Sequence, residues 1–252
     1  MTINEKISRL RQAMQAQGID AYLIPSSDPH QSEYLPDHWK TRQWISGFTG
    51  SAGLVIVTQN HAGLWTDSRY FLQAETELKG TEIGLHKQII PHAPEHVTWL
   101  QENLKAGATL GLDGSLFSVG QIRFLEKHLH SKQIKLDYHI DLIPAIWLDR
   151  PALPTGTIFE FDEQFAGESR ASKLNRIRER MTKQDADFHL ITTLDDIAWT
   201  LNIRGADVEA NPVAVGFLVL GKEISYLFMN PEKVADEIKT NLNNDGVILK
   251  PY

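Results

Sequence analysis

The run GLWTDSRYFLQAE (Gly63 to Glu75) joins a strand-like to a helix-like segment and gathers Trp65, Asp67, Arg69 and Tyr70 at the join. Thr66 or Asp67 in front of a helix would cap its free amides, leaving Arg69, Tyr70 and Phe71 in the first turn. That accounts for Asp67. It does not account for an Arg and a Tyr together on an otherwise apolar segment, and the planar guanidinium suits a carboxylate partner. A second polar cluster, NIRGADVEANPV (Asn202 to Val213), threads Arg204, Asp207, Glu209 and Asn211 through a Gly- and Pro-containing loop. Two loop acids do not by themselves make a catalytic pair, and a solvated loop is the simpler reading. In SSDPHQSEY (Ser26 to Tyr34), His30 follows a strand end, where α/β folds place functional loops; a turn set by Ser-Asp-Pro explains it equally well.

Other chemistries find little support. GFTGSAG (Gly47 to Gly53) matches neither G-x-G-x-x-G nor a Walker A motif, and it precedes a strand instead of opening a helix, so a glycine-rich bend is the better reading. His92 and His96, and His128 and His130, are closely spaced but form no H-E-x-x-H, and Pro94 interrupts the first pair; these read as surface or structural histidines. No serine lies in a G-x-S-x-G context. The absence of Cys removes disulfides, thiolate metal sites and thiol nucleophiles. The net charge of -7 is scattered, which argues against nucleic acid as a partner. Hydrophobic residues make up 42% of the chain without any run near the ~18 that a membrane span requires. The N-terminus reads as a first helix and not as a secretory leader, and the expectation is a cytoplasmic protein.

The elements that must carry these residues come as a repeat. Arg9 to Asp28 (RLRQAMQAQGIDAYLIPSSD) lies without gaps on Arg176 to Asp195 (RIRERMTKQDADFHLITTLD). Ile7, Leu10 and Met14 correspond to Leu174, Ile177 and Met181, each trio spaced for one helix face. After each helix comes a short apolar run, Ala21 to Ile24 and Phe188 to Ile191, expected as a buried strand. A looser likeness links Gln43–Val57 with Ala198–Leu220, and each copy then forms a hairpin: Leu54–Thr58 with Gly63–Thr66, and Val215–Leu220 with Ile224–Met229. The first copy continues with Gly84–Ile90, helices at Glu95–Leu104 and Val119–His130, and strands at Thr109–Leu112 and Ile134–Leu136. The expected fold class is α/β: two related domains, residues 1–154 and 155–252, each a mixed sheet flanked by helices, with DRPALPTGT (Asp149 to Thr157) between them.

Several strings together carry a family resemblance: IPSSDPHQSEY, SGFTGSAG, WTDSRYFLQA, IWLDRP and LDDIAWTLNIRGADVEANPV. Over nearly its whole length the chain resembles the N-terminal and middle domains of cytosolic, three-domain Xaa-Pro aminopeptidases, whose first two domains are related units of the creatinase N-terminal type. The resemblance implies a metallopeptidase that removes an N-terminal residue followed by proline, with two divalent metals, usually manganese, in a third domain of pita-bread fold. That catalytic domain is absent from the sequence, which ends at ILKPY, so no metal ligand or catalytic residue is assigned in this chain and no cofactor is expected in it. It is expected to be an inactive fragment of a homodimeric enzyme. Its partners would be its own catalytic domain and peptides with proline second. On the matching motifs, Arg69, Tyr70, Arg204, Asn211 and His30 are candidates for the substrate cleft, and Trp65, Asp67 and Asp207 for docking the catalytic domain. The alternative is a stand-alone creatinase-like module that binds peptides or partners without catalysis.

Overall fold

In the computed structural model, which describes residues 1–90 and 93–252, the chain forms two compact units. Met1–Pro29 and Asp37–Pro151 make the first, His30–Pro36 and Ala152–Tyr252 the second. His92, one of the paired histidines above, lies outside the described residues.

The first unit contains α1 (Ile3–Ala16), β1 (Ala21–Pro25), α2 (Thr41–Ser46), β2 (Leu54–Thr58), β3 (Ala62–Asp67), α3 (Phe71–Glu77), β4 (Gly84–Gln88), α4 (Glu95–Asn103), β5 (Thr109–Gly111), α5 (Val119–Leu129) and β6 (Lys135–Asp137). Helix α1 starts because Thr2 and Glu5 form a reciprocal capping box. Its Ile7, Leu10 and Met14 are fully buried, as their spacing requires. The mixed sheet runs β4-β3-β2-β1-β5-β6, with β1, β2 and β3 antiparallel and the outer pairs parallel. Strand alternation sends Tyr22 and Ile24 to a core with α1, α2 and α3, and Ala21 and Leu23 to a second core with α4 and α5. Both sheet faces are therefore covered.

The second unit contains β7 (Phe159–Glu160), α6 (Glu163–Ala166), α7 (Arg170–Lys183), β8 (Phe188–Ile191), α8 (Leu194–Leu201), β9 (Ile203–Arg204), β10 (Phe217–Gly221), β11 (Ser225–Phe228), α9 (Asp236–Asn244) and β12 (Val247–Lys250). Its main sheet runs β12-β11-β10-β8, antiparallel through β8, β10 and β11 and parallel at β12. Helices α7, α8 and α9 bury Leu174, Leu201 and Leu242 against one face through Ile191, Leu218 and Leu227. The expectation of a buried strand at Phe188–Ile191 fails here: Phe188 is 68% and Leu190 57% exposed. Strand β8 is a sheet edge, and among the described residues of this unit nothing corresponds to the β5, α4 and α5 that lie beside β1 in the first.

The repeat extends to polar side chains. Lys6 in α1 donates to the Trp44 carbonyl near the end of α2 at 2.6 Å and lies over the Trp44 ring. Lys173 in α7 donates to the Trp199 carbonyl of α8 at 2.9 Å and lies over the Trp199 ring. A cation on the last carbonyls satisfies groups that a helix cannot bond internally and opposes the dipole's negative end. Each of these helices ends in a left-handed residue, Gly47 at φ 73° and Asn202 at φ 49°. Arg11 donates to the Thr58 carbonyl at the end of β2, and Arg178 to the Gly221 carbonyl at the end of β10, so an arginine pins each hairpin.

Candidate functional site

At the end of β3 the Asp67 carboxylate accepts from the Arg69 backbone amide at 3.1 Å and from its guanidinium at 2.9 and 2.8 Å. These bonds, the side-chain pair foremost, hold Asp67 below the usual carboxylate range. The capped element is one 3-10 turn (Ser68–Tyr70), and α3 begins only at Phe71. Arg69 itself is exposed, with an edge available to a further anion.

The Arg69 guanidinium lies over the Tyr70 ring, 5.2 Å from its centroid. The Tyr70 hydroxyl meets the Ser51 hydroxyl at 2.7 Å, and its ring stands edge-on to Phe48 with centroids 5.9 Å apart. Gly50 is obligatory beneath it, since a Cβ there would fall 2.7 Å from Tyr70 Cδ1 and 2.3 Å from Phe48 Cζ. Buried Arg42 anchors the same bend, donating to Ser26 Oγ at 2.8 Å, the Phe48 carbonyl at 2.5 Å and the Gly50 carbonyl. Burial lowers the Arg42 pKa to about 10, so it stays charged at neutral pH. Glu77 accepts from the Thr49 amide at 2.9 Å, and Ser46 Oγ accepts from the Phe48 amide at 3.1 Å. A phosphate loop must offer such amides outward; here they are consumed and the carbonyls point to Arg42.

Trp65 corrects an expectation. It is 2% exposed in the core shared with α4 and α5, stacked on His86, so its ring presents no docking surface.

In the second unit, Arg204 lies over the Phe161 ring at 4.3 Å and donates to the Ala198 and Ile203 carbonyls at 2.9 and 2.8 Å. Asn202, whose side chain accepts from buried Lys173 at 2.6 Å, fixes where the loop departs. Asp207 is also corrected from docking surface to interior: its Oδ2 pairs with buried Lys233 and accepts from the Val215 amide at 2.6 Å. Its backbone position in a Gly/Pro loop suggested solvent, but Lys233 sits across from it and neutralises the buried charge. Asn211 donates to Asp195 in the first turn of α8 at 3.3 Å.

His30 is 1% exposed and so is not an open cleft residue as it stands. It packs 4.4 Å from the Phe217 ring centroid. Because a carbonyl only accepts, Nδ1 must donate to the Thr192 carbonyl at 2.9 Å, and Nε2 meets the Tyr252 hydroxyl at 3.1 Å. The first unit thus brings Asp67, Arg69 and Tyr70 together without Trp65. The second carries Arg204 at the end of β9 and Asp207 and Asn211 on the loop that follows, with His30 against the sheet. Sequence reasoning missed Arg42 and Lys173; the equivalence of Lys6 and Lys173, just upstream of the aligned repeat, was the available signal for the latter.

Among the described residues, no group of three or more His, Asp or Glu side chains could hold a metal ion. Nor, among the described residues, is any helix long and apolar enough to cross a membrane.

Family models described as Creatinase/Prolidase N-terminal domain match residues 6–143 and 149–252. The chain belongs to the creatinase/prolidase N-terminal domain family. It is 39% identical to Aminopeptidase P2 of Arabidopsis thaliana over 100% of its own length and 36% of that protein's. With Xaa-Pro aminopeptidase 1 of Dictyostelium discoideum it shares 37% identity, covering 100% of this chain and 41% of the relative. The crystal structure of X-prolyl aminopeptidase from Caenorhabditis elegans, described as a cytosolic enzyme with a di-nuclear active site, superposes with a TM-score of 0.94 at 32% identity, over 100% of this chain and 43% of that one. The chain thus spans well under half the length of these relatives.

Proposed function

We propose that this creatinase-type chain is the N-terminal, non-catalytic region of a metal-dependent Xaa-Pro aminopeptidase that releases the residue preceding a penultimate proline. The observation that carries this reading is end-to-end similarity to aminopeptidases of which the chain accounts for 36% and 41%. The hydrolytic centre, with two divalent metals and manganese as the family expectation, belongs to the region beyond residue 252; a metal-activated water would attack the scissile carbonyl there. The present chain contributes the side walls of the substrate cleft and is inactive alone. Arg69, exposed and only partly used by Asp67, is suited to meet a carboxylate of the substrate or of the catalytic domain. Arg204, Tyr70 and Asn211 are positioning candidates through the loops they brace. The apolar patch of Phe188 and Leu190 fits a docking role toward the catalytic domain, because exposed apolar area at a free sheet edge is otherwise an aggregation liability. Cytoplasmic location and dimerisation are part of the same proposal.

The test is steady-state hydrolysis of an Ala-Pro-Pro peptide by the longer polypeptide carrying Arg69→Ala. The expected outcome is a raised KM or a lowered kcat with metal content unchanged. Unaltered kinetics would remove Arg69 from the cleft.

A further inference from the structure

The first unit holds a histidine pair that the repeat, the glycine loop and the family match leave without a role. His61 immediately precedes β3, and His86 lies on the parallel neighbour β4, where the ladder sets it beside Trp65. Their Nε2 atoms are 2.9 Å apart. Trp65 stacks on the His86 ring at 3.9 Å, and Trp99 of α4 lies 4.8 Å from the His61 ring, so both imidazole planes are braced. The space between them exists because residue 63 is glycine: a Cβ there would approach His61 Nε2 to 2.8 Å and His86 Cδ2 to 2.7 Å. Both rings are half-buried, and His61 opens onto a cavity of about 360 Å3 whose rim includes Asp20, Asn60, Asn103 and Lys105.

Such a pair either shares a proton in an N–H···N bond or directs two lone pairs at one cation. Two nitrogens bound at ~2.0–2.1 Å stand about 2.9 Å apart at a right angle and about 3.4 Å apart at a tetrahedral angle. The 2.9 Å separation fits the right angle and fits an N–H···N bond equally well, so the experiment must separate the two. Adjacent corners of a tetragonal, nitrogen- and oxygen-ligated ion are characteristic of Cu2+ or Ni2+, with Cu2+ at the top of the affinity order. Among the described residues neither Nδ1 has a hydrogen-bonding partner in the protein, so each ring can carry its proton there and leave Nε2 bare. Burial lowers both imidazole pKa values, with Arg11 adding to this at His61 and His61 at His86. The Arg11 charge is itself engaged by Glu82 at 2.6 Å.

We propose that Nε2 of His61 and Nε2 of His86 form the protein half of a tetragonal site for a divalent cation of the copper class, with water from the adjoining cavity in the other positions. Electron paramagnetic resonance of the chain with one equivalent of Cu2+ is the test. An axial signal split by two imidazole nitrogens is expected. His61→Asn and His86→Asn should each weaken Cu2+ binding about tenfold or more, while the surface variant His128→Asn should not. Should either pair variant fail to fold, substoichiometric Cu2+ added to the wild-type chain must broaden the imidazole proton resonances of His61 and His86 before those of the other histidines. Equal affinity in the folded variants and wild type, or broadening that starts elsewhere, would assign the pair to an N–H···N bond and eliminate the site.

Discussion

Leu23 and Leu190 occupy the same register position in the two halves of the repeat, yet one is 2% exposed and the other 57%. Both lie on strands that pair antiparallel with the first strand of the following hairpin, β1 with β2 and β8 with β10, Leu23 opposite Ile56 and Leu190 opposite Val219. The difference is the layer above them. In the first unit, α4 and α5 close a second core over that face; in the second, β8 ends the sheet and its outer face is open. A shared sequence pattern therefore specifies helix, strand and hairpin, while the layers added afterwards decide which faces are core and which remain available to a partner.

The sharpest way to break this comparison is Leu23→Ala against Leu190→Ala. The first should cost about 2–5 kcal/mol by lost burial and a cavity, and the second should lie within about 0.5 kcal/mol of wild type, read by urea unfolding with hydrogen exchange resolving each unit. Similar losses at both positions would mean that β8 is covered.

A pH prediction follows from His96 in α4, whose pKa burial lowers to about 4 and whose Nδ1 has no hydrogen-bonding partner among the described residues. The unfolded chain takes up this proton near pH 6.5 and the folded unit only near pH 4. Stability of the first unit is therefore intact above about 6.5 and declines as pH falls through that window, by on the order of 2–3 kcal/mol. His96→Gln should flatten the decline in a pH series of unfolding curves.

Next in size is the lysine pair. Lys173 is buried and holds both the Trp199 carbonyl and Asn202, so Lys173→Met should cost about 1–3 kcal/mol; Lys6→Met, at a less buried site with one carbonyl partner, should cost about 0.5–1.5 kcal/mol. Thermal unfolding of the two variants orders them, and the reverse order would rule out C-terminal capping as the role of these lysines. The smallest stability effect belongs to Arg69→Ala, which should leave the unfolding midpoint in place while altering peptide hydrolysis in the longer polypeptide.

Much of the frame was legible because periodicity reports the sheet and helix faces directly: Ile7, Leu10, Met14, Leu174 and Met181 are buried as their spacing indicates. Long-range partnership was not legible. Nothing local in the sequence reveals that Arg42 would fill the glycine bend, that Lys233 would neutralise Asp207, or that His61 and His86 would meet across parallel strands. Trp65 and Phe188 were misread for one reason. Pattern alone does not tell whether a second layer covers a sheet face, so an aromatic at a polar junction looked like surface and an apolar run at a sheet edge looked like core.

The most direct test of the proposed role is hydrolysis of an Ala-Pro-Pro peptide by this 252-residue chain with added Mn2+, with protein-bound manganese quantified in the same sample. No turnover and no stoichiometric manganese are expected. Turnover accompanied by bound manganese would place the hydrolytic centre within these residues and contradict the assignment of the chain as a non-catalytic region.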